Sequence, residues 1–221
     1  MPSEPLVLGF DTSAAHCAAA LLSGSRLLAH RHEDMKTGQA ERLFPLLEEV
    51  LAQAGATWQD LSAIGVGTGP GNFTGIRISV SAARGLALAL SIPAIGVSTL
   101  EAQAFGTPGV VISTVAAPRD QLYLQIIGGG ETAAPVLASL VALPPIPASA
   151  GPACIGAYAA DVAAQCAGTP RQAAFPLPEA IARLAARRLG QDLPPPAPLY
   201  IRGADAAPAR DAPPVILADD D

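Results

Sequence analysis

Apolar residues along the first hundred positions fall in short blocks separated by Gly-, Ser- and Pro-containing breaks. Leu6-Val7-Leu8-Gly9-Phe10 is a continuous apolar run that stops at Asp11-Thr12-Ser13, the pattern of a buried strand and the turn after it. His16 to Leu22 and Arg26 to His32 flank Ser23-Gly24-Ser25, which predicts two more strands joined by a hairpin. From Gln39 to Ala54 the period becomes helical: Leu43, Phe44, Leu46, Leu47, Val50, Leu51 and Ala54 recur three or four residues apart, and Gly55 is placed to end the run. Ser62 to Gly67 predicts a fourth strand. Asn72 is an N-cap for a helix from Phe73 to about Leu90, and Pro93 to Val97 predicts a fifth, short strand.

The resulting order is β-β-β-α-β-α-β. Three hairpin-linked strands followed by two right-handed crossovers make the ribonuclease-H-like arrangement, which actin, Hsp70 and the sugar kinases use in duplicate. A second unit follows a helix-like piece at Thr99 to Phe105. In it, Val110 to Val115, Leu122 to Ile127 and Ala153 to Gly156 predict strands, and Ala157 to Ala167 and Pro178 to Leu189 predict helices. Gly128-Gly129-Gly130 predicts a turn, while residues 135–152, rich in Pro and Ala, show no clear period. The expected fold is therefore α/β: a duplicated ribonuclease-H-like architecture of the ASKHA (actin/Hsp70/sugar-kinase-like) type with a reduced second domain. The expected division is an N-terminal domain at 1–105, a smaller domain at 106–202 and a mobile tail at 203–221.

Composition narrows the function classes. Half of the 221 residues are hydrophobic but only 4% are aromatic, so aliphatic side chains must fill the core. A net charge of −6 lacks the basic footprint that nucleic-acid binding needs, so if RNA is involved a partner is expected to supply most of the phosphate contacts. Cys17, Cys154 and Cys166 form no C-x-x-C pair, which predicts neither a disulfide framework nor a zinc site. The N-terminal residues lack a basic region before an apolar stretch, and the apolar window Gly85 to Leu100 is broken by Ser91 and Pro93. The expectation is a reduced, cytoplasmic protein with no membrane association.

The chemistry-bearing candidates are few. Gly67, Gly69, Pro70, Gly71, Asn72 and Gly75 make a glycine-rich turn between a strand and a helix, able to aim backbone N–H groups at an anion or at another chain. It lacks the Lys-Ser or Lys-Thr of a phosphate-cradling P-loop. Asp11 offers one carboxylate to a two-metal nuclease site, but the fourth strand offers none. In a phosphotransferase of this architecture, turns from both units touch phosphate. Asp11, Thr12 and Ser13 form the first such turn, a vestigial nucleotide-binding candidate whose alternative role is a strand-end cap. Its counterpart, Ala116-Ala117-Pro118, has no acid. His30 and His32 share one strand face but belong to no metal motif, and no serine has a His-Asp partner in sight. The remaining reading is a scaffold. The helix from Phe73 is apolar on most of its circumference and calls for a second cover, either the second domain or a protein partner.

Ile64 to Arg77, read as I-G-V-G-T-G-P-G-N-F-T-G-I-R, resembles the G-x-G-P-G-S-F-T-G-[IV]-R signature of the TsaB family, also called YeaZ. Leu6 to Ser13 resembles the opening strand and D-T-[AS] turn of that family. Gly85-Leu86-Ala87, Ile95 to Leu100, and Pro198-Leu199-Tyr200-Ile201-Arg202 are similar to its G-L-A, G-V-S-T-L and P-x-Y-x-R blocks. The resemblance implies a non-catalytic subunit that pairs with TsaD. With TsaE, and with TsaC or its Sua5 relative, that pair makes threonylcarbamoyladenosine beside the tRNA anticodon. It implies no cofactor or metal, with ATP possible only at the interface with TsaD, and a homodimer possible in isolation. The partner interface it implies lies on the two helices, with Leu43, Leu46, Leu47, Val50, Phe73, Ile76, Arg77, Val80, Ala83 and Ala87 as contact candidates. The alternative is a vestigial ASKHA ATPase or a peptidase-like hydrolase. Asn72 replaces the usual serine, Gln39 stands where many members have histidine, and Ala116 to Tyr123 keeps little of the family's second-domain segment.

Overall fold

The computed structural model describes residues 4–129, 132–146 and 151–201. Five strands form the first sheet: β1 (Leu6–Asp11), β2 (His16–Ser23), β3 (Arg26–Asp34), β4 (Ala63–Gly67) and β5 (Ala94–Val97). Their spatial order is β3-β2-β1-β4-β5. β1, β2 and β3 pair antiparallel through hairpins, whereas β4 and β5 run parallel to β1. The continuous apolar runs in β1 and β4 follow from their central position, because both faces of those strands are covered.

One face carries α1 (Gln39–Gln53) and α2 (Phe73–Leu90). Leu8, Phe10, Leu21, Ile64 and Val66 of the sheet meet Leu43, Leu46, Leu47, Val50, Ile76, Val80 and Ala83 of the helices in the main core. Pro45 lies inside α1 with no N–H to donate, on the exposed side of the helix. Val7, Leu22, Ala63 and Ile95 point to the opposite face and meet Ala182 and Ala185 of α5 (Leu177–Arg188).

The second sheet repeats the topology. β6 (Val111–Ala117), β7 (Gln121–Ile127), β8 (Val136–Ser139), β9 (Ala153–Gly156) and β10 (Thr169–Pro170) stand in the order β10-β9-β6-β7-β8. α4 (Ala159–Cys166) covers one side, with Val162 against Ile112, Leu122 and Cys154. α3 (Thr99–Ala104) follows β5 in the chain, yet it packs on β6, β7 and β9. The two units therefore exchange helices: α3 of the first unit covers the second sheet, and α5 of the second unit covers the first.

That exchange corrects the expected division at residue 105. α5 and the segment after it belong to the layers of the first sheet. Arg188 Nη1 donates to Gly96 O (3.2 Å), and the Leu199 N–H donates to Thr68 O (2.8 Å). The second unit is reduced, but not in strand number. Between β8 and β9 no helix is present among the described residues, where the first unit has α1. β8 lies in the stretch that shows no clear period, because four residues are too few for alternation to be read. Gly130, Arg202 and the expected tail at 203–221 lie outside the described residues.

Candidate functional site: the glycine-rich turn, the cleft and the outer helices

The glycine-rich turn leaves β4 at Gly67 and enters α2 at Phe73. The Asn72 side chain caps α2, its Oδ1 accepting from the Gly75 N–H at 2.9 Å. The turn lies directly on Asp11-Thr12-Ser13. The Asn72 N–H donates to Ser13 O (2.6 Å) and Thr12 Oγ1 donates to Gly75 O (2.7 Å). A Cβ on Gly67 would overlap Asp11 Oδ2, one on Gly71 would overlap Ser13 O, and one on Gly75 would overlap Thr12 O. The four-residue spacing of these glycines is thus the footprint of one turn laid on another.

Asp11, Thr12 and Ser13 are buried. Asp11 Oδ1 accepts from the Ser13 N–H and from Ser13 Oγ–H, both at 2.9 Å, and pairs with His16 Nε2 at 2.7 Å. Asp11 Oδ2 is buried without a partner among the described residues, against Gly67. Of the phosphate-facing turn expected here, Ser13 lines the cleft between the two units. Three backbone donors of the glycine-rich turn are engaged internally: Thr68 N–H on Val97 O, Asn72 N–H on Ser13 O and Gly75 N–H on its own cap.

A cleft of about 550 Å³ separates the two units. Ser13, His16 and Asn72 face Ala116, Ala117, Pro118 and Tyr123 across it, and among the described residues no Asp, Glu, Lys or Arg lines it. Among the described residues, no three His, Cys, Asp or Glu side chains converge as a metal site. His32 turns toward Asp34 (3.1 Å), and burial pushes the His30 imidazole below its ordinary value.

The interface candidates divide sharply. Leu43, Leu46, Leu47, Val50, Ile76, Val80 and Ala83 are core residues with no outward surface. Helical periodicity identified them as apolar, but the sheet, not a partner, covers them. Phe73 and Arg77 are exposed and Ala87 is half-buried. Arg77, Ser81, Arg84 and Leu88 make the outer row of α2, with Leu88 84% exposed, and Phe44 of α1 is 43% exposed. Among the described helices, α2 alone has the length and mean hydropathy (1.2 over 18 residues) of a membrane span. On α1, Arg42 joins Glu33 of β3 (2.6 Å) to Glu49 (2.7 Å). That guanidinium holds both carboxyls below their ordinary range by hydrogen bonding.

Comparison with known proteins decides the family. The model described as TsaD: tRNA N6-adenosine threonylcarbamoyltransferase matches residues 33–153. The chain is 38% identical to the tRNA threonylcarbamoyladenosine biosynthesis protein TsaB of Escherichia coli over 100 residues, 45% of this chain and 43% of that protein. An uncharacterized protein of Mycobacterium tuberculosis is 34% identical over 206 residues, covering 91% of this chain and 94% of its own length. The solved structure of YeaZ from Pseudomonas aeruginosa superposes with a TM-score of 0.68 at 26% identity, covering 89% of this chain and 99% of that one. The chain belongs to the TsaB (YeaZ) family. Its fold is of the ASKHA type, and its matched segment spans less than half the length of the E. coli relative.

In this family member, two blocks far apart in sequence meet at the start of α2. The Arg77 guanidinium stacks 3.7 Å above the Phe73 ring, and Arg77 Nε donates to the Tyr200 hydroxyl at 2.9 Å. Tyr200 lies 5.3 Å from Phe73, ring to ring. The F-T-G-I-R end of the TsaB signature and the P-L-Y block are therefore one surface feature. Tyr200 was legible only as part of a recurring block; its partner was not.

Proposed function

We propose that this chain is a non-catalytic subunit that pairs with TsaD for threonylcarbamoylation of the adenosine beside the tRNA anticodon. The outer surface of α1 and α2 is the docking face. The observation that carries this reading is the exposure of large apolar side chains along that face, Leu88 at 84% and Phe73 at 49%, on helices whose inner sides are already spent on the sheet. A pair of helices from each partner makes a contact of about 1,600 Å², a standard protein interface. The family model that matches the chain is itself that of TsaD, so the partner is a homologous fold able to offer equivalent helices. TsaE and the nucleotide-transferring enzyme reach the chain through TsaD, and tRNA contact is indirect because the net charge is −6. Without TsaD, the same face serves a homodimer. The cleft lining, free of acids among the described residues, supports the non-catalytic role, and a nucleotide would need groups supplied by TsaD.

Co-purification with the organism's own TsaD tests this. Leu88→Arg should leave the circular dichroism unchanged and abolish capture, whereas Glu48→Gln should bind like the parent chain. Full TsaD affinity in both Leu88→Arg and Phe73→Ala would sink the docking assignment. ATP or peptide turnover by the chain alone, lost in Asp11→Ala, would sink the non-catalytic one.

A further inference from the structure

A second cavity, of about 510 Å³, lies beside α5, on the face of the first sheet away from α1 and α2. Phe105 and Gly106 enter it from the end of α3, Phe175 from the segment before α5, and Arg183 and Arg187 from α5 itself; Pro5 and Gly24 close the rim. The two rings pack 5.6 Å apart, tilted by 38°. Arg183 lies 4.6 Å above the Phe175 ring and Arg187 lies 4.6 Å above the Phe105 ring. One turn of helix thus presents two guanidiniums, each laid on an aromatic face. The seam is closely fitted: Gly106 has φ +84°, and a Cβ there would come within 2.7 Å of Phe175 Cε2.

The two arginines differ in what they have left to offer. Arg183 commits Nε and Nη2 to Glu179 Oε1, at 2.9 and 2.7 Å. The Arg187 guanidinium has no carboxylate or hydrogen-bond acceptor among the described residues. A guanidinium flat on a ring keeps its N–H edge free in the plane, and that fork matches two oxygens of a carboxylate or a phosphate. The ring orients the fork beforehand, which lowers the ordering cost of binding. Away from the guanidiniums the wall is mostly apolar, and the volume is that of a small-molecule site. Glu4 stands beside Gly24 at the rim, so an anion belongs against Arg187 rather than there.

We propose that this cavity binds a small aromatic oxyanion, a molecule carrying one phosphate or carboxylate on a flat ring. Arg187 holds the oxyanion bidentate, Nη1 of Arg183 adds a donor, and the ring of the ligand lies along the phenylalanine and proline wall. The site is remote from the proposed docking helices, so its failure would leave that reading untouched.

Calorimetric titration of the full chain with phenyl phosphate tests the proposal, with inorganic phosphate and phenol as its two halves. Phenyl phosphate should saturate at one site, and each half should bind about tenfold more weakly or less. Arg187 is exposed, so Arg187→Gln should keep the parent circular dichroism and lose about tenfold in affinity. Arg187→Lys, which keeps the charge but not the fork, should also weaken binding, and Glu4→Gln should tighten it. Adenosine monophosphate and phenylacetate separate the sources: a preference for either supports the site and names its class. The proposal is overturned if no ring-bearing anion saturates, if Arg187→Gln binds as the parent does, or if inorganic phosphate binds as tightly as phenyl phosphate.

Discussion

In the first unit, the order β3-β2-β1-β4-β5 is backed by helices of 15 and 18 residues; in the second, the same order is backed by an eight-residue helix. The walls of the cleft differ in the same direction. Asp11, Ser13 and His16 form a hydrogen-bonded polar cluster on one side, and Ala116-Ala117-Pro118 stands opposite. What both units keep is a close approach onto the glycine that ends the fourth strand, by the Asp11 carboxylate in the first and by the Thr114 carbonyl in the second. Gly67 lies against Asp11, and Gly156 lies against Thr114, with no room for a Cβ at either. Thr114 Oγ1 bonds the carbonyls of Ile155 and Ala157 much as Thr12 Oγ1 bonds that of Gly75. The duplicated topology thus persists where strand ends must meet, while the Asp11–His16 cluster of the first unit has Ala116-Ala117-Pro118 opposite it.

The sharpest challenge to this comparison lies within α2. Val80 is 3% exposed under the sheet, so Val80→Arg should cost about 4 kcal/mol or more of folding stability, measured by urea denaturation. Leu88→Arg, on the outer row, should stay within about 0.5 kcal/mol of the parent. Similar losses in the two would mean that the outer side of α2 is not free. Next in size, Gly67→Ala and Gly156→Ala should each cost about 3 kcal/mol by overpacking, and Gly156 carries the added strain of φ +101°. A neutral Gly156→Ala would break the equivalence of the two strand ends. Tyr200→Phe removes the acceptor of Arg77 Nε at an exposed site and should cost about 1 kcal/mol or less, visible as a small drop in Tm.

The smallest effect is acid sensitivity confined to the first unit. Hydrogen bonding to Arg42 holds the folded Glu33 carboxyl below its ordinary 4.5, so the native state binds fewer protons than the unfolded chain. That contribution is complete above pH 4.5 and fades as the pH falls below it, through the lowered folded value. Both groups are partly exposed and reached by solvent, so a stability-versus-pH curve should show only a shallow slope there, and Arg42→Gln should flatten it. An unchanged slope in that variant would assign the acid sensitivity to other carboxylates.

Local signals in the chain determined much of this. The strands at Leu6–Asp11 and Ala63–Gly67, the helices from Gln39 and Phe73, and the turn between Gly67 and Phe73 were legible because each is written in adjacent residues as a period, a cap or a glycine. The family blocks were legible for the same reason. β8 and β10, at four and two residues, were too short to carry a period. Only the tertiary structure decided which side of α2 is buried, since that helix is apolar on both flanks and periodicity cannot choose between them. It also decided that α3 and α5 exchange sheets, because an amphipathic stripe specifies an apolar cover but not which one. The meeting of Tyr200 with Arg77, and of Arg187 with Phe105, joins residues 123 and 82 positions apart. Such contacts leave no periodic trace in the sequence: they arise when the second unit closes back over the first and buries apolar surface that neither unit can cover alone.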